Sequence, residues 1–392
     1  MLEFETTVGT LGSPSAVTLG QQLESRLRRL LSALGQLDHL ERSLRIIRTL
    51  TSSWHSDPMA AGPKWSSDIT DDHSPFEFSL ALDGKSEMVR ILTEPQNPDN
   101  PSLQTSWSLG QAVHEELAGR WGAGLRDYGK VADLFAPSEN DRGVFSIWHS
   151  AILGCKQGVE FKVYLNPAIH GASDAERVTG EAFARLGLGQ TWRVVREKIL
   201  CRARLDRLVY FSLDLTEAAG ARAKIYVAHD HATADDVCAT LAWCPGFGNA
   251  EVVRWCEHLM EGNGPFRGRP PISCFAFSRG TLDLHTTTLH LPVRSYASDD
   301  FEAARRICAY LPFRQRVRYM RALTELAERP LESGPGLQTY ASLRASPRRE
   351  ALTVYLAPQV YSEPANNALE VEQSLFGRAE RASNNVTSRI AL

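Results

Sequence analysis

Arg222, Lys224 and Tyr226 occupy every second position of a short stretch, with Ala223 and Ile225 between them. On a β-strand this spacing puts two cations and a phenol on one face and the apolar pair on the other. Lys162-Val163-Tyr164 repeats the arrangement about sixty residues earlier. Such a wall suits an anionic ligand, with Arg and Lys meeting its charge and aromatic rings closing the site. Glu77 lies in Ser74-Pro75-Phe76-Glu77-Phe78-Ser79-Leu80, a carboxylate among apolar neighbours. It can accept a hydrogen bond from a substrate N–H, or it can be a glutamate on the solvent side of a strand.

These residues need strands to hold them, and the sequence repeats a unit of two strands and a turn. The pairs are 76–82 with 88–93, 144–153 with 161–166, 208–215 with 221–228, 272–277 with 284–293, and 339–344 with 352–356. The turns carry Asp83-Gly84, Lys156-Gln157-Gly158, residues 218–220, Arg279-Gly280 and Pro347, the residue types hairpins use. Helical periodicity fills the gaps at 19–50, 109–121, 174–186, 250–260, 301–311 and 314–327. Hairpins separated by helices predict an α+β fold. Ten antiparallel strands can close into a barrel and so lose their edges, with helices outside and a polar lumen inside. A two-domain α+β arrangement is the alternative. Residues 1–15 are expected to be loose, 16–361 to form one domain, and the polar tail 362–392 to be disordered.

Period-2 parity then aligns further residues. Arg90 shares a face with Met88, Thr353 with Tyr355, and Tyr340 with Arg344. Thr288, His290 and Arg294 share a parity that Pro292 can interrupt. One such strand reads as a solvated face. Recurrence in five strands with few carboxylates points instead to an enclosed cationic cluster that needs an anionic ligand.

Composition narrows the class. The 392 residues are 43% hydrophobic with net charge −3, so nothing global favours nucleic acid. No apolar run of about 18 residues suggests a membrane span, and no secretory pattern opens the chain. Seven cysteines, with no CxxC pair, predict reduced thiols in the cytoplasm rather than a disulfide framework or a zinc site.

The chain resembles the dimethylallyltryptophan synthase family of aromatic prenyltransferases, in particular its bacterial indole prenyltransferases. The resemblance rests on Asp71-Asp72-His73-Ser74-Pro75-Phe76-Glu77-Phe78-Ser79, Lys162-Val163-Tyr164-Leu165-Asn166-Pro167, Arg222-Ala223-Lys224-Ile225-Tyr226, Thr288-Leu289-His290-Leu291-Pro292-Val293-Arg294 and Thr353-Val354-Tyr355, in family order. It implies the ABBA fold, five ααββ repeats around a ten-stranded antiparallel barrel. It also implies transfer of a dimethylallyl group from dimethylallyl diphosphate to the indole ring of L-tryptophan or a tryptophan-derived compound. On this resemblance Arg90, Lys162, Arg222 and Lys224 bind diphosphate, with Arg294 and Arg344 as extensions. Tyr164, Tyr226 and Tyr355 shield the allylic cation, with His290 where fungal members have tyrosine. Glu77 binds the indole, and Lys156 falls near the position of a proposed final base.

Asp71-Asp72, Asp235-Asp236 and Asp299-Asp300 are not completed to DDxxD, the pattern that holds Mg²⁺ in other prenyltransferases. No metal or other cofactor is therefore expected, and the lumen cations take over neutralisation of the leaving group. A neutral His290 could wall the cavity, whereas a protonated one would repel an allyl cation. Arg204 and Arg207 are candidates for an amino-acid carboxylate, or else surface arginines. The expected partners are small molecules, without nucleic acid or membrane. Two other readings stand beside tryptophan as acceptor: a tryptophan-containing cyclic dipeptide, peptide or alkaloid, and a non-catalytic barrel carrying an isoprenoid diphosphate.

Overall fold

The computed structural model describes residues 17–60, 62–82, 87–153, 159–244, 246–278, 284–345 and 351–361. The segments 1–15 and 362–392, Lys156 and four of the five hairpin turns lie outside the described residues.

The chain runs helix, helix, strand, strand five times over. Helices α1 (Leu19–Leu34) and α2 (Leu40–Leu50) precede β1 (Phe76–Leu82) and β2 (Glu87–Thr93). Next come α3 (Leu103–Trp121), α4 (Arg126–Val131), β3 (Ile147–Leu153) and β4 (Phe161–Leu165). The third unit is α5 (Ala175–Arg185), α6 (Gly189–Lys198), β5 (Asp206–Asp214) and β6 (Arg222–His229). The fourth is α7 (Ala234–Leu241), α8 (Asn249–Leu259), β7 (Ile272–Ser278) and β8 (Leu284–Leu291). The last is α9 (Asp300–Cys308), α10 (Phe313–Leu326), β9 (Gln338–Ala345) and β10 (Ala351–Leu356). All ten strands pair antiparallel in one closed barrel, shut where β1 meets β10 with Ser79 opposite Tyr355.

The physical reason is the alternation along each strand. Phe76, Phe78, Leu80, Val89, Ile91, Val163, Phe211, Ile225, Val227, Phe275 and Leu289 point outward and are buried beneath the helices. Each such side chain contributes roughly 1.5–3 kcal/mol on burial. Closure removes the strand edges and leaves the inward positions free to be polar. Close approach of helix to barrel needs small residues. A Cβ on Gly110 of α3 would sit 2.6 Å from the Ile147 side chain of β3.

Differences from the sequence reading are local. The periodic stretch 19–50 is two helices, because Gly35 takes a left-handed conformation (φ 69°) that ends α1. Helix α3 starts at Leu103, where the Ser102 hydroxyl accepts from the Thr105 N–H. Strand β8 stops at Leu291, since Pro292 has no N–H to continue the ladder. Helices α4, α6 and α7 were not anticipated.

The barrel has two distinct ends. The strand ends joined within each hairpin lie at one, and the strand ends joined through helices lie at the other.

Candidate active site

The inward cations gather near the hairpin end. Arg222 opens β6 and Lys224 follows two residues later, Lys162 is the second residue of β4, and Arg344 is the second-last of β9. Arg90 on β2 faces the same lumen, opposite Ser79 and Ile152. Asp214, at the end of β5, ties two of them down: Arg222 Nε donates to its Oδ2 at 2.6 Å and Lys224 Nζ to its Oδ1 at 3.1 Å. Burial alone would raise the Asp214 carboxyl, but Lys224, Arg222 and Lys162 outweigh it and hold the group at about 2. Burial pulls Lys162 well below the ordinary lysine range, with repulsion from Lys224 and Arg90 adding to it. The Arg90 Nε is buried without a hydrogen-bond partner among the described residues. Five cations thus gather about Asp214, with Glu160 the other acid that Lys162 and Arg222 feel, an arrangement that an anion with several charged oxygens would relieve.

One step deeper, four rings form an arc. Tyr164 and Tyr226 have centroids 5.8 Å apart, Tyr226 and His290 5.8 Å, and His290 and Tyr355 5.5 Å. The Tyr226 hydroxyl donates to the Tyr164 hydroxyl at 3.4 Å. Burial pushes all three phenols upward, so they stay neutral. Burial pushes the His290 imidazole down to about 3, so it is neutral as well. The repulsion a protonated His290 would impose does not arise, and the ring completes the wall. On β4 and β6 the order is the same: the cation, Lys162 or Lys224, lies two residues nearer the turn than the tyrosine.

Beyond the arc, away from the turns, is Glu77. It is buried on β1 opposite Leu92, and the Thr339 hydroxyl donates to its Oε1 at 2.7 Å. Burial pushes its carboxyl up to about 8 against that hydrogen bond. Around it at this end are Trp148 and Tyr210, centroids 5.3 Å apart, with Phe145 stacked on Trp148 at 3.9 Å. A flat apolar ring fits such a chamber, with Glu77 as its polar anchor.

Not every predicted residue joins this lumen. Arg294 lies past β8 in the turn Val293–Ser295, at the Glu77 end, and its Nε pairs with Asp71. That corrects its grouping with the diphosphate cations, since Pro292 breaks the parity on which it rested. Arg204 is exposed in the turn Ala203–Leu205, and Arg207 pairs with Asp230. Arg204 stays outside the lumen lining, whereas Arg207 has the inward register of β5, opposite Ala228 and near Tyr210, at the Glu77 end. The paired aspartates have structural work: Asp72 accepts from Thr70, Ser74 and the Tyr361 N–H, Asp236 and Asp299 cap α7 and α9, and Asp300 accepts from Arg329, Leu337 and Gln338.

The family model described as tryptophan dimethylallyltransferase matches residues 43–242. A 6-dimethylallyltryptophan synthase from Micromonospora olivasterospora, solved in complex with DMASPP and Trp, is 31% identical at a TM-score of 0.82, over 88% of this chain and 99% of that one. The chain belongs to the tryptophan dimethylallyltransferase family. A 5-dimethylallyltryptophan synthase from Streptomyces coelicolor is 28% identical at a TM-score of 0.80, over 89% of this chain and all of that one (100%). AnaPT from Neosartorya fischeri, 16% identical at a TM-score of 0.72 over 89% and 96%, shares the fold.

This dimethylallyltransferase has the barrel the hairpin count predicted. Several lumen residues were not singled out from the sequence. Asp214, Trp148, Tyr210 and Cys274 lie on the first strand of their hairpins, whereas parity was followed mainly along the second strands. The same period-2 rule applied to both would have found them. Thr339 reaches Glu77 from a strand 262 residues away, a contact with no local signal.

Proposed function

We propose that this enzyme transfers the dimethylallyl group from dimethylallyl diphosphate to the indole ring of L-tryptophan without a metal ion. The observation that carries the reading is the axial order of the lumen: cations, then the arc of neutral rings, then the buried Glu77. Arg90, Lys162, Arg222, Lys224 and Arg344 take the diphosphate oxygens. The allylic C–O bond breaks with its electron pair leaving on diphosphate, where preorganised charge lowers the barrier. Tyr164, Tyr226 and Tyr355 face the allylic cation, each contributing about 1–2 kcal/mol of cation–π attraction where desolvated, and with His290 they exclude water.

Glu77 accepts the indole N–H on the oxygen that Thr339 does not occupy, orienting the ring and pushing electron density toward the attacking carbon. A ring carbon forms the new C–C bond to the allylic cation, and the arenium ion then gives its ring proton to water, relayed to the Glu77 carboxylate, and regains aromaticity. The engagement of Asp71 and Asp72 at the opposite end from the cations supports neutralisation by protein charge rather than by Mg²⁺. Residues 16–361 act as one unit in this reading, since β1 and β10 close the same barrel. Unpaired buried thiols at Cys238, Cys244, Cys256 and Cys274 suit a reducing cytoplasm. Among the described residues no helix is long and apolar enough to cross a membrane.

The test is incubation with dimethylallyl diphosphate and L-tryptophan, with and without EDTA. Prenylated tryptophan is expected in both. No product from tryptophan would refute the acceptor, and loss of product with EDTA would refute the metal-free mechanism.

A further inference from the structure

The four rings of the arc stand on the second strands of their hairpins: Tyr164 on β4, Tyr226 on β6, His290 on β8 and Tyr355 on β10. The strands between them contribute small inward side chains. Ser212 of β5 lies opposite Tyr164, Ser342 of β9 opposite His290, and Ser79 of β1 opposite Tyr355. On β7, which runs between Tyr226 and His290, the equivalent residue is Cys274, opposite Tyr226. Three strands thus present a hydroxyl beside a ring, and one presents a thiol.

Register fixes where that thiol is. Cys274 lies opposite Tyr226 on one side and Thr288 on the other, and Thr288 lies opposite Arg344. Paired residues share a face of the sheet. Cys274 is therefore inward, in the row that joins a ring of the arc to a lumen cation. The next inward residue toward the turn is Ala276, opposite Lys224, so only a methyl group stands along β7 between the sulfur and the cations. Cys274 is buried in one cluster with Tyr226, and Tyr164 and Tyr210 pack against that cluster. The surrounding lumen has polar atoms to spare: Ser212 is fully buried and His290 nearly so, and neither the Ser212 hydroxyl nor His290 Nε2 has a hydrogen-bond partner among the described residues. Of the described cysteines, Cys274 alone lies on a strand, whereas Cys238, Cys256 and Cys308 are on the outer helices.

Sulfur is soft and polarisable, and it suits capture of an allylic cation. Burial pushes the Cys274 thiol up to about 11, so it keeps its proton at neutral pH and is inert toward ordinary electrophiles. A carbocation formed beside it needs no thiolate. Resting on dimethylallyl diphosphate as the donor, we propose that Cys274 is a self-prenylation site, capturing the allylic cation when no acceptor ring is in place. The allylic C–O bond breaks with its electron pair leaving on diphosphate. A sulfur lone pair forms the C–S bond, and the S–H proton passes to the released diphosphate. The product is a dimethylallyl thioether, and no oxidant or reductant is consumed. The added group fills the space between the cations and the rings and excludes the next donor, so capture ends turnover. An indole held at Glu77 takes the cation first, which ties the working life of the enzyme to the supply of acceptor.

The experiment incubates the wild type with dimethylallyl diphosphate, with and without L-tryptophan, and follows intact mass, residual activity, dimethylallyl alcohol and prenylated tryptophan. Without acceptor, the chain should gain one dimethylallyl unit, mapped to Cys274 by peptide mass spectrometry, and lose activity in step with it. Saturating tryptophan should cut both several-fold for the same donor consumed. Cys274→Ala, checked for folding by its melting temperature, should gain no adduct and hold its own starting rate over the same incubation. Three results would overturn the proposal: alcohol without a Cys274 adduct, an adduct on His290, an arc tyrosine or the exposed Cys201 instead, or equal labelling with and without tryptophan while prenylated tryptophan forms. Failure of the donor reading looks different: neither alcohol nor prenylated indole appears, and the proposal falls with it.

Discussion

Thr339 and Glu77 meet across β10, the hydroxyl of β9 donating to the carboxyl of β1 at 2.7 Å. A bulge makes this possible: between the pairs Val354–Ala341 and Leu356–Gln338, β9 spends one residue more than β10. The contact fixes one carboxyl oxygen and leaves the other for a ligand. Because burial raises Glu77 to about 8 from an ordinary 4.5, the folded protein keeps a proton that the unfolded chain loses between those values. Stability from this group is thus full below about 4.5 and is lost as pH rises toward 8. Glu77→Gln should flatten the pH dependence of the melting temperature in that window and stabilise the fold at pH 8. Its turnover should fall by roughly 100-fold or more, as for loss of a positioned acid–base group. Thr339→Val should keep the fold and shift the acceptor pH profile further toward alkali. Wild-type turnover in Glu77→Gln would refute the orienting role.

Lys162 gives a second test. Its proton is weakened by burial and by Lys224 and Arg90, and a bound diphosphate reverses the last two effects. Binding of inorganic diphosphate should therefore take up protons, and its affinity should fall as pH rises into the alkaline range. Calorimetry in two buffers of different ionisation enthalpy reads the uptake directly. Lys162→Met should abolish most of it and weaken binding by roughly tenfold, the equivalent of about 1.4 kcal/mol. Equal heats in both buffers for the wild type would contradict the assignment.

The parts of this site that were legible in the sequence are those with a period. Arg222, Lys224 and Tyr226 declare a strand face by spacing alone, and turn residues mark the hairpins. Arg294 was misplaced because parity was carried through Pro292, where the ladder ends. Arg269 and Asp71 lie in connecting segments with no period, so only the folded chain brings them together. Asp214 was legible but unread, on the strand preceding the turn. Helices α4, α6 and α7, of 6, 10 and 8 residues, are too short for periodicity to stand out from their surroundings.

His290 offers a prediction about water rather than rate. Neutral and packed between Tyr226 and Tyr355, it closes the arc where a gap would admit solvent to the allylic cation. His290→Asn should divert several-fold more donor to dimethylallyl alcohol, measured against prenylated product. His290→Tyr should keep the coupling. With the imidazole at about 3, neither rate constant should show a break from this residue between pH 5 and 8. Equal alcohol yields from Asn and Tyr variants would remove His290 from the shield.

On the outer face of the barrel, Asp206, His229 and Ser273 form a chain with the order of a hydrolase triad. Asp206 Oδ1 lies 2.8 Å from His229 Nδ1, and His229 Nε2 lies 3.0 Å from Ser273 Oγ. Geometry alone would suggest an activated serine, but Ser273 is fully buried and His229 nearly so, so no acyl substrate reaches the hydroxyl. The chain instead joins β5, β6 and β7 at the end where Tyr210, Tyr226 and Cys274 face inward, and the Arg202 N–H donates to the other Asp206 oxygen at 2.7 Å. Replacing His229 by Ala leaves a buried carboxylate short of a partner, a change that costs about 3 kcal/mol. His229→Ala should lower the melting temperature by several degrees with little change in either substrate's KM at a temperature where it is folded. A fluorophosphonate probe should not label Ser273 in the wild type. Labelling would mean that the segment opens to solvent and that the triad is more than a brace.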